Sequence, residues 1–473
     1  MKNQCYNPYL PSWEYIPDGE PYVFNGRVYV YGSHDIAGGH VFCIGDYICW
    51  SAPEDDLSDW RYEGVIYKKT EDPLNKDGHM CLYAPDVTVG PDGRYYLFYV
   101  LDRACVVSVA VCNTPAGEYK FHGYVHYSDG TRLGEREGDE PQFDPGVLTE
   151  GQRTYMYTGF CGIGDKSRTG AFATVLDSDM LTIIEEPVRV APGNCYGEGT
   201  GFEEHEYFEA ASMRKNDDTY YFVYSSTPMN ELCYATSKHP TKDFKYGGVI
   251  VSNCDKNIDS YKPAEMHVYP AGNNHGSIVE IKNQWYVFYH RQTNGTWFSR
   301  QGCVELISLN PDGSIDQVEI TSMGANGKPL TGRGEYPAYI VCNLFKPAGE
   351  EHPQPKVTQY DSDIDAGDCS VAGRSIADKQ GYITDIRDST IIGYKYFDFK
   401  GVKKILVRTR AYCKGRFYVK TSWDGEALGE IPVDSANIWT DFSADISVPD
   451  GVHALYFEYK GTGGPQLLSF TLK

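Results

Sequence analysis

Residues 209–224 read Glu-Ala-Ala-Ser-Met-Arg-Lys-Asn-Asp-Asp-Thr-Tyr-Tyr-Phe-Val-Tyr, a short apolar run followed by a polar turn and an aromatic strand. Tyr, Phe and Val fit the pleated surface of a sheet, and Asn and Asp favour tight turns, so the stretch predicts a β-hairpin. The pattern occurs five times along the chain, each time after a polar leading residue. The leading residues are Glu20, Asp86, Asp144, Glu209 and His275.

The copies follow one another at intervals of roughly 60 residues, which suits one four-stranded propeller blade with its loops. Closing five blades into a ring removes the exposed sheet edges that a linear stack would leave open. We therefore predict an all-β protein with a five-bladed β-propeller over residues 1–345. A Pro-rich, charged stretch predicts a linker over residues 346–356, and short alternating strands predict a β-sandwich over residues 357–473.

The composition excludes several classes of partner. The 473 residues include 43 basic and 65 acidic side chains, for a net charge of −22. Phosphate binding needs a surplus of Lys and Arg, so we expect no nucleic-acid partner, and an anionic membrane is equally disfavoured. No apolar run approaches the ~20 residues of a membrane-spanning helix, and the N-terminus has no apolar secretory signal. These features predict a cytoplasmic protein without membrane association.

The repeat also predicts where the chemistry lies. The first strand of each propeller blade lines the central channel, so the five leading residues are expected to converge on one axial cavity. Buried carboxylates repel one another and are costly to desolvate unless they are paired or used. The alternative is that Asp-Pro and Asn-Gly dipeptides merely start turns, which explains a single copy better than all five.

Cleavage of a glycosidic bond needs a protonated carboxyl group to donate to the leaving oxygen and an ionised carboxylate on the opposite face. Blades 1 and 4 are not neighbours, so Glu20 and Glu209 are expected to face each other across the cavity. Asp86 on blade 2 is expected near Glu209, where its negative charge would keep the acid protonated. This arrangement predicts acid–base hydrolysis that needs no cofactor.

Several motifs resemble those of glycoside hydrolase family 43. They are Asn7-Pro8-Tyr9-Leu10-Pro11, Tyr83-Ala84-Pro85-Asp86-Val87, Phe143-Asp144-Pro145, Tyr289-His290-Arg291, Arg300-Gln301-Gly302-Cys303-Val304 and Asn310-Pro311-Asp312-Gly313. The resemblance implies an inverting five-bladed propeller that acts on glycans containing arabinose, xylose or galactose. It further implies that Asp86 modulates the pKa of the acid, that Glu209 is the acid, and that His275 helps to hold an axial cation, commonly calcium.

The position of the general base is open between two residues. The family's base is an Asp followed by Pro, whereas this chain has Pro17-Asp18-Gly19-Glu20-Pro21. Counting back from the turn at Asn25-Gly26 places Glu20 at the family's Asp, and counting from Pro17 favours Asp18. Strand alternation puts both side chains on one face. Glu20 is the preferred base, with Asp18 as the alternative.

Other residues are candidates for binding the sugar. Arg291 and Arg300 can fork onto hydroxyl groups, Asp144 is expected to contact the substrate, and Phe208 can stack on a sugar face. Trp13, Trp60 and Trp297 are further stacking candidates, although packing is the favoured explanation for each of them.

The C-terminal segment contains weaker signals. Residues 451–461 resemble carbohydrate-binding modules of family 6, which implies sugar binding through an aromatic residue such as Trp439; the alternative is a structural appendage. The acidic run Asp361-Ser362-Asp363-Ile364-Asp365 is a candidate for a second calcium ion, against the alternative of a solvated loop.

Taken together, these features predict an exo-acting, inverting hydrolase that releases β-D-xylose or α-L-arabinofuranose from hemicellulose-derived oligosaccharides. The alternatives are a galactofuranosidase or galactan-acting hydrolase on the same propeller, and a non-catalytic glycan-binding propeller. A lectin would not need three channel carboxylates. A phosphorylase would need a basic phosphate pocket, which the sequence does not show.

Overall fold

The computed structural model describes residues 4–347, 355–358 and 380–473. Within them the regular structure is β, apart from short 3-10 turns, and there is no α-helix. This confirms the predicted all-β class. None of the described segments forms a helix long and apolar enough to cross a membrane, and the described cysteines are all free thiols.

The prediction of a five-bladed propeller is also confirmed, with each blade an antiparallel sheet. Blade 1 consists of β1 (Glu20–Phe24), β2 (Arg27–Tyr31), β3 (Tyr47–Pro53) and β4 (Arg61–Tyr67). Blade 2 consists of β5 (Asp86–Val89), β6 (Tyr95–Tyr99), β7 (Ser108–Cys112) and β8 (Lys120–Tyr124). Blade 3 consists of β9 (Gly146–Glu150), β10 (Arg153–Thr158), β11 (Gly170–Leu176) and β12 (Ile183–Pro192). Blade 4 consists of β13 (Tyr207–Asn216), β14 (Thr219–Ser226), β15 (Glu231–Ser237) and β16 (Lys245–Ser252). Blade 5 has three strands, β17 (Ser277–Ile281), β18 (Gln284–Gln292) and β19 (Arg300–Ile307).

The N-terminal segment closes the ring. Asn7 Nδ2 donates to the Val304 carbonyl at 2.9 Å, and Asn7 Oδ1 accepts from the Val304 N–H at 2.8 Å. The Tyr9 N–H donates to the Gly302 carbonyl at 3.2 Å. The segment therefore lies along the free edge of β19 and connects blade 5 directly to blade 1. These bonds give the Asn-Pro-Tyr motif near the N-terminus its structural role.

The C-terminal domain is a single curled β-sheet. Its strands are β20 (Leu330–Thr331), β21 (Gly334–Pro337), β22 (Asn343–Phe345), β23 (Lys356–Thr358), β24 (Tyr382–Thr384), β25 (Ile391–Phe399), β26 (Lys404–Lys420), β27 (Gly429–Asp445), β28 (Gly451–Gly463) and β29 (Gln466–Leu472). The first half of β26 pairs with β29 and its second half pairs with β28. The change of partner falls at Ala411, where φ is 86°. Such a change at a bulge turns the corner between the two layers of a sandwich.

The domain boundary differs from the predicted one. β20 and β22 pair with β25, and β21 pairs with β29, so residues 330–345 belong to the C-terminal sheet by hydrogen bonding. These strands are two to four residues long, which is too short for a repeat pattern to separate them from the propeller. Most of the predicted linker, residues 348–354, lies outside the described residues.

A buried ion pair joins the two domains. Lys395 on β25 lies with its Nζ 2.9 Å from Asp255 Oδ2 and 3.1 Å from Glu319 Oε2, both on the propeller side. Its ammonium group also lies 3.8 Å from the centre of the Tyr261 ring. Because one apolar core continues around these residues from blades 4 and 5 into the C-terminal sheet, the two domains are packed as one body.

We expect Lys395→Met to lower the thermal unfolding temperature, because it leaves Asp255 buried without its cation. Removing one partner of a buried pair costs about 3–5 kcal/mol. Lys400→Met is the matched control, since Lys400 forms an exposed pair with Asp398 at 2.7 Å and such pairs contribute about 0–1 kcal/mol. Scanning calorimetry that shows equal unfolding temperatures for the two variants would contradict the role of Lys395.

Candidate active site

A cavity of about 370 Å³ opens at one end of the propeller channel. Five of its lining residues come from the five blades, one from each, and we call them the cavity ring. The cavity ring consists of Asp18, Ala84, Asp144, Glu209 and His275. The backbone is left-handed at Asp18 and Asp144, with φ of 57° and 42°. Such conformations cost on the order of 1–3 kcal/mol and are concentrated at functional sites.

A second layer of polar residues lies deeper in the channel. Glu20 and Asp86 begin β1 and β5, two residues after the cavity-ring positions of the same blades. Residues two positions apart on a strand point to the same face, and their side chains are separated by about 6.6 Å along the strand. We call this deeper layer the channel cluster. It consists of Glu20, Asp86, Ser212, Arg214 and Ser277. Hydrogen bonds join these residues except Asp86, which is linked to Arg214 through Tyr22.

This layering corrects two expected placements. Glu20 and Asp86 do not line the cavity, and both are fully buried in the channel cluster. Glu20 pairs with Arg214, and Asp86 accepts hydrogen bonds from the N–H groups of Val87 and Val147. The five leading residues of the repeats include members of both layers. Strand alternation predicts which face a side chain lies on, but not how deep in the channel it lies. A signal was available, since four cavity-ring residues precede Gly or Pro. The four dipeptides are Asp18-Gly19, Ala84-Pro85, Asp144-Pro145 and His275-Gly276.

Asp18 is held as an ionised carboxylate. Its Oδ1 accepts from Arg300 Nη1 at 2.9 Å, and its backbone N–H donates to His290 Nδ1 at 3.2 Å. Burial raises the pKa of Asp18, but the charges of Arg300 and His275 outweigh burial, so the pKa is lowered overall. Burial and the charge of Arg300 lower the pKa of His290 to about 3. The neutral His290 ring therefore accepts at Nδ1 and donates from Nε2 to the Asn273 carbonyl at 2.8 Å.

Glu209 is held in its protonated form. Burial and the neighbouring charge of Asp144 raise the pKa of Glu209 to about 8. Asp144 is the adjacent cavity-ring residue, and its Oδ2 accepts from the Ala210 N–H at 3.1 Å. Burial also raises the pKa of Asp144, to about 7. Glu209 and Asp144 together readily hold one proton at neutral pH, and we assign that proton to Glu209.

His275 lies between the two layers. Its Nδ1 is 3.6 Å from Asp144 Oδ2 and 3.9 Å from Asp18 Oδ1, while its Nε2 is 3.8 Å from Glu20 Oε1. Burial lowers the pKa of His275, but the three carboxylates raise it to about 9 overall. An imidazolium therefore balances the negative charge at this point of the axis.

The two predicted arginines have different environments. Arg300 lines the cavity, and it binds Asp35 through Nε at 2.8 Å and Nη2 at 3.0 Å while also holding Asp18. Sequence reasoning missed Asp35, which has no repeat position or motif. The expected contact of Arg291 with sugar is not met: it is buried away from the cavity and donates to Cys303 Sγ and the Val341 carbonyl. Arg300 pairs across the ladder with Gln292, the residue next to Arg291, so the two arginines face opposite sides of the sheet.

Aromatic side chains form the cavity wall. Phe208 and Trp297 line it as expected, and sequence reasoning missed four further aromatic residues there. These are Phe42, Tyr83, Phe143 and Phe160. Trp13 and Trp60 instead pack against Trp50 and Tyr9, with ring centres 5.9 and 4.9 Å apart. Aromatic faces suit the apolar face of a sugar ring.

The C-terminal candidates lie apart from this cavity. Arg410 covers one face of the Trp439 ring at 4.4 Å, and Tyr382 meets it edge-on with ring centres 5.5 Å apart. Sugar binding through Trp439 stays a prediction. The acidic run over residues 361–365, proposed for a second calcium ion, lies outside the described residues.

One further cluster has metal-ligand chemistry. Among the described residues, His205, Glu231 and Cys233 have donor atoms within 4.8 Å of one another. The Glu231 carboxylate already accepts from Ser226 Oγ at 3.0 Å and lies 2.9 Å from His205 Nδ1. These hydrogen bonds satisfy the carboxylate and anchor the loop before β13.

The family model for glycosyl hydrolases family 43 matches residues 21–315, which is more than half of the chain. The chain belongs to this family. The family 43 assignment made from the motifs is thereby confirmed, and the protein is a glycoside hydrolase.

Similar proteins agree with this assignment. A xylosidase/arabinosidase of Thermoclostridium stercorarium is 66% identical over 100% of this chain and 99% of the relative. A Bacteroides ovatus protein of the same name is 27% identical over 66% of this chain and 97% of its own. An arabinoxylan arabinofuranohydrolase of Bacillus subtilis, solved with cellotetraose, shares the fold with a TM-score of 0.52 at 21% identity, covering 99% of this chain and 97% of that one. A β-xylosidase/α-arabinofuranosidase from a compost metagenome was solved with xylotriose in a calcium-free form. It has a TM-score of 0.51 at 25% identity, over 67% of this chain and 98% of that one.

We expect Asp144→Asn to move the alkaline limb of the kcat/KM profile to lower pH. The amide removes the negative charge that disfavours ionisation of Glu209, so the pKa of Glu209 falls and the acid loses its proton earlier. Asp86→Asn is the matched comparison, and it should leave this limb in place. Profiles on an unactivated disaccharide substrate measure both. A shift in Asp86→Asn alone would favour the modulator role that the sequence predicts for Asp86.

Proposed function

We propose that this family 43 hydrolase releases single pentoses, β-D-xylose and α-L-arabinofuranose, from the ends of short hemicellulose-derived oligosaccharides with inversion of configuration. The observation that carries the proposal is the cavity ring, which combines an ionised Asp18, a protonated Glu209 and the intervening Asp144. Its specificity is supported by the 66% identical relative, which is named a xylosidase/arabinosidase. The 370 Å³ cavity suits one end of a glycan, which supports exo-action.

In this proposal Asp18 is the general base. Arg300 holds its carboxylate and keeps it ionised, while His290 accepts from its backbone N–H, so Asp18 can take a proton from a water that attacks the anomeric carbon. Asp18 therefore replaces Glu20, which the sequence favours, because Glu20 is engaged by Arg214 below the cavity. An inverting enzyme needs about 6.5–9.5 Å between its two carboxyl groups to admit this water. Blades 1 and 4 are not adjacent, which is compatible with such a separation.

Glu209 is the proposed general acid. Its proton passes to the glycosidic oxygen as the bond breaks, so the aglycone leaves as an alcohol while the sugar retains the oxygen of the attacking water. Asp144 is the proposed modulator in place of Asp86, because Asp144 is the carboxylate whose charge acts directly on Glu209. After one turnover Asp18 holds a proton and Glu209 is ionised, so exchange with solvent restores the starting state.

Calcium beside His275 was expected from the resemblance, and the residues present do not fit it. Calcium prefers six to eight oxygen ligands. Below His275, Glu20 Oε2 is taken by Arg214, and both Asp86 oxygens accept hydrogen bonds from Tyr22, Val87 and Val147. A buried guanidinium in the same cluster also repels a divalent cation. No step of the proposed mechanism therefore uses a metal ion.

A panel of nitrophenyl glycosides tests the substrate class. We expect turnover of both the β-D-xyloside and the α-L-arabinofuranoside, and proton NMR should show the inverted anomer as the first sugar formed. Activity on a β-D-galactofuranoside without activity on either pentoside would favour the galactofuranosidase alternative. A retained anomer would contradict the base role of Asp18.

Leaving-group dependence tests the roles of the carboxyl groups. Glu209→Gln should lower kcat by about 10²–10⁴-fold on xylo-oligosaccharides, and by less on a nitrophenyl glycoside, whose phenolate leaves without a proton. Asp18→Asn should lower the rate on both substrates alike, because it removes activation of the water. Azide, which needs no deprotonation, should partly restore Asp18→Asn and leave Glu20→Gln unaffected. Azide rescue of Glu20→Gln alone would return the base role to Glu20.

A further inference from the structure

The channel cluster contains a cation supplied by the chain itself. Arg214 on β13 of blade 4 is buried, and its Nη2 donates to Glu20 Oε2 at 2.6 Å. Its Nη1 donates to the Met213 carbonyl at 2.8 Å. The guanidinium lies over the Tyr22 ring, 4.3 Å from its centre. Arg214 is therefore fixed on the axis by an ion pair, a backbone bond and an aromatic face.

Two buried carboxylates depend on this guanidinium for charge balance. Glu20 and Asp86 are fully buried, and the Tyr22 hydroxyl donates to Asp86 Oδ1 at 2.7 Å while its ring supports Arg214. Burial and the charge of Glu20 raise the pKa of Asp86 to about 8, so Asp86 holds a proton readily at neutral pH. The negative charge that remains on the pair is still prohibitively costly to bury in isolation, so it requires a cation nearby. Blades 1, 2 and 4 each contribute to this arrangement.

The pair also reaches the cavity ring. Oε2 of Glu20 accepts from Arg214. Its other oxygen, Oε1, has no hydrogen-bond partner within the described residues and lies 3.8 Å from His275 Nε2. The other ring nitrogen of His275 lies near Asp144 and Asp18. A continuous series of charges thus runs from Arg214 through Glu20 and His275 to the two carboxylates of the cavity ring.

We propose that Arg214 is a built-in cation that makes a channel metal ion unnecessary, and that it acts as a positioning residue by holding Glu20 against His275. The proposal rests on the roles proposed above for Asp18 and Asp144, since these are the carboxylates that His275 contacts. Catalysis by this chain is accordingly independent of calcium. The guanidinium supplies a permanent positive charge in a fixed place, whereas calcium would need six to eight oxygen ligands, and of the four carboxyl oxygens of Glu20 and Asp86 only Glu20 Oε1 is without a hydrogen bond to another described residue.

The same geometry predicts what happens when Arg214 is removed. A serine at position 214 would leave a space bordered by the carboxylates of Glu20 and Asp86 and by the hydroxyl groups of Ser212 and Ser277. Ser212 Oγ already lies within hydrogen-bond distance of Glu20 Oε2, at 3.0 Å, and of Ser277 Oγ, at 2.7 Å. Oxygen donors of this kind are what calcium prefers. Arg214→Ser should therefore gain a calcium response that the native chain lacks.

The experiment compares the native protein, Arg214→Ser, Arg214→Lys and Lys215→Ser after EDTA treatment, each with and without millimolar calcium. Lys215 is the matched control, because it is the next residue on β13 and pairs outward with Glu150 at 2.6 Å. Steady-state kinetics on the best nitrophenyl pentoside and the thermal unfolding temperature are measured for each. The unfolding temperature reports calcium binding whichever glycoside is the substrate.

The native protein and Lys215→Ser should keep their kcat after EDTA treatment, with no calcium effect on kcat or unfolding temperature. Arg214→Ser should lose kcat on the order of 10²-fold with a smaller change in KM, as expected when catalytic groups are misplaced. Calcium should raise its unfolding temperature and restore part of kcat. Arg214→Lys, which keeps a positive charge, should lose less activity and show no calcium response.

Loss of native activity in EDTA with recovery in calcium would overturn the proposal, as would full kcat in calcium-free Arg214→Ser. If Arg214→Ser does not fold, the double variant Glu20→Gln/Arg214→Met, which removes both charges of the pair, takes its place. A folded double variant with native kcat would also overturn the positioning role. If the native protein cleaves no pentoside, the proposed function fails, while the unfolding temperatures still decide whether Arg214 replaces calcium.

Discussion

Arg300 connects blade 5 to Asp18 and Asp35 of blade 1. Arg214 connects blade 4 to Glu20, which also belongs to blade 1. These bonds matter because the axis of the ring is crowded with carboxyl groups that water does not reach. Charges buried in this way are tolerated only when an opposite charge lies in hydrogen-bond contact. The same pairs fix blade 1 to its neighbour blade 5 and, across the channel, to blade 4. Stability of the ring and ionisation of Asp18, the proposed base, therefore have one physical origin.

The architecture follows from the sequence to a large extent, and the depth of individual residues does not. Five hairpin repeats suffice to identify the propeller, because the alternation of aromatic and polar residues and the turn chemistry are local. Glu20 and Asp18 share a strand face, so period-two reasoning places both at the axis without saying which one reaches the cavity. That distinction depends on how far each inner strand is offset along the channel axis. Packing between the blades determines this offset. Asp144, Glu209 and His275 do converge on the cavity, as their equivalent positions in the repeats predict.

The remaining misses also have non-local causes. Asp35 occupies no repeat position and becomes important only because Arg300, far away in sequence, folds onto it. Arg291 and Arg300 are indistinguishable by residue type, yet one faces the cavity and the other a core of sulfur and carbonyl groups. The short strands over residues 330–345 pair with β25 and β29, partners that come later in the chain. Composition near residue 345 suggests a boundary, whereas hydrogen bonding places it earlier.

Ring closure through Asn7 has a consequence for the order in which the protein matures. Val304, to which Asn7 bonds, is translated 297 residues after Asn7. Until then Arg300 does not exist to engage Asp18, and blade 1 has no closing neighbour. Because such distant contacts form late and slowly, the nascent polypeptide carries no hydrolytic capacity during most of its synthesis. It also presents unpaired blade edges, which are prone to aggregate until the ring closes.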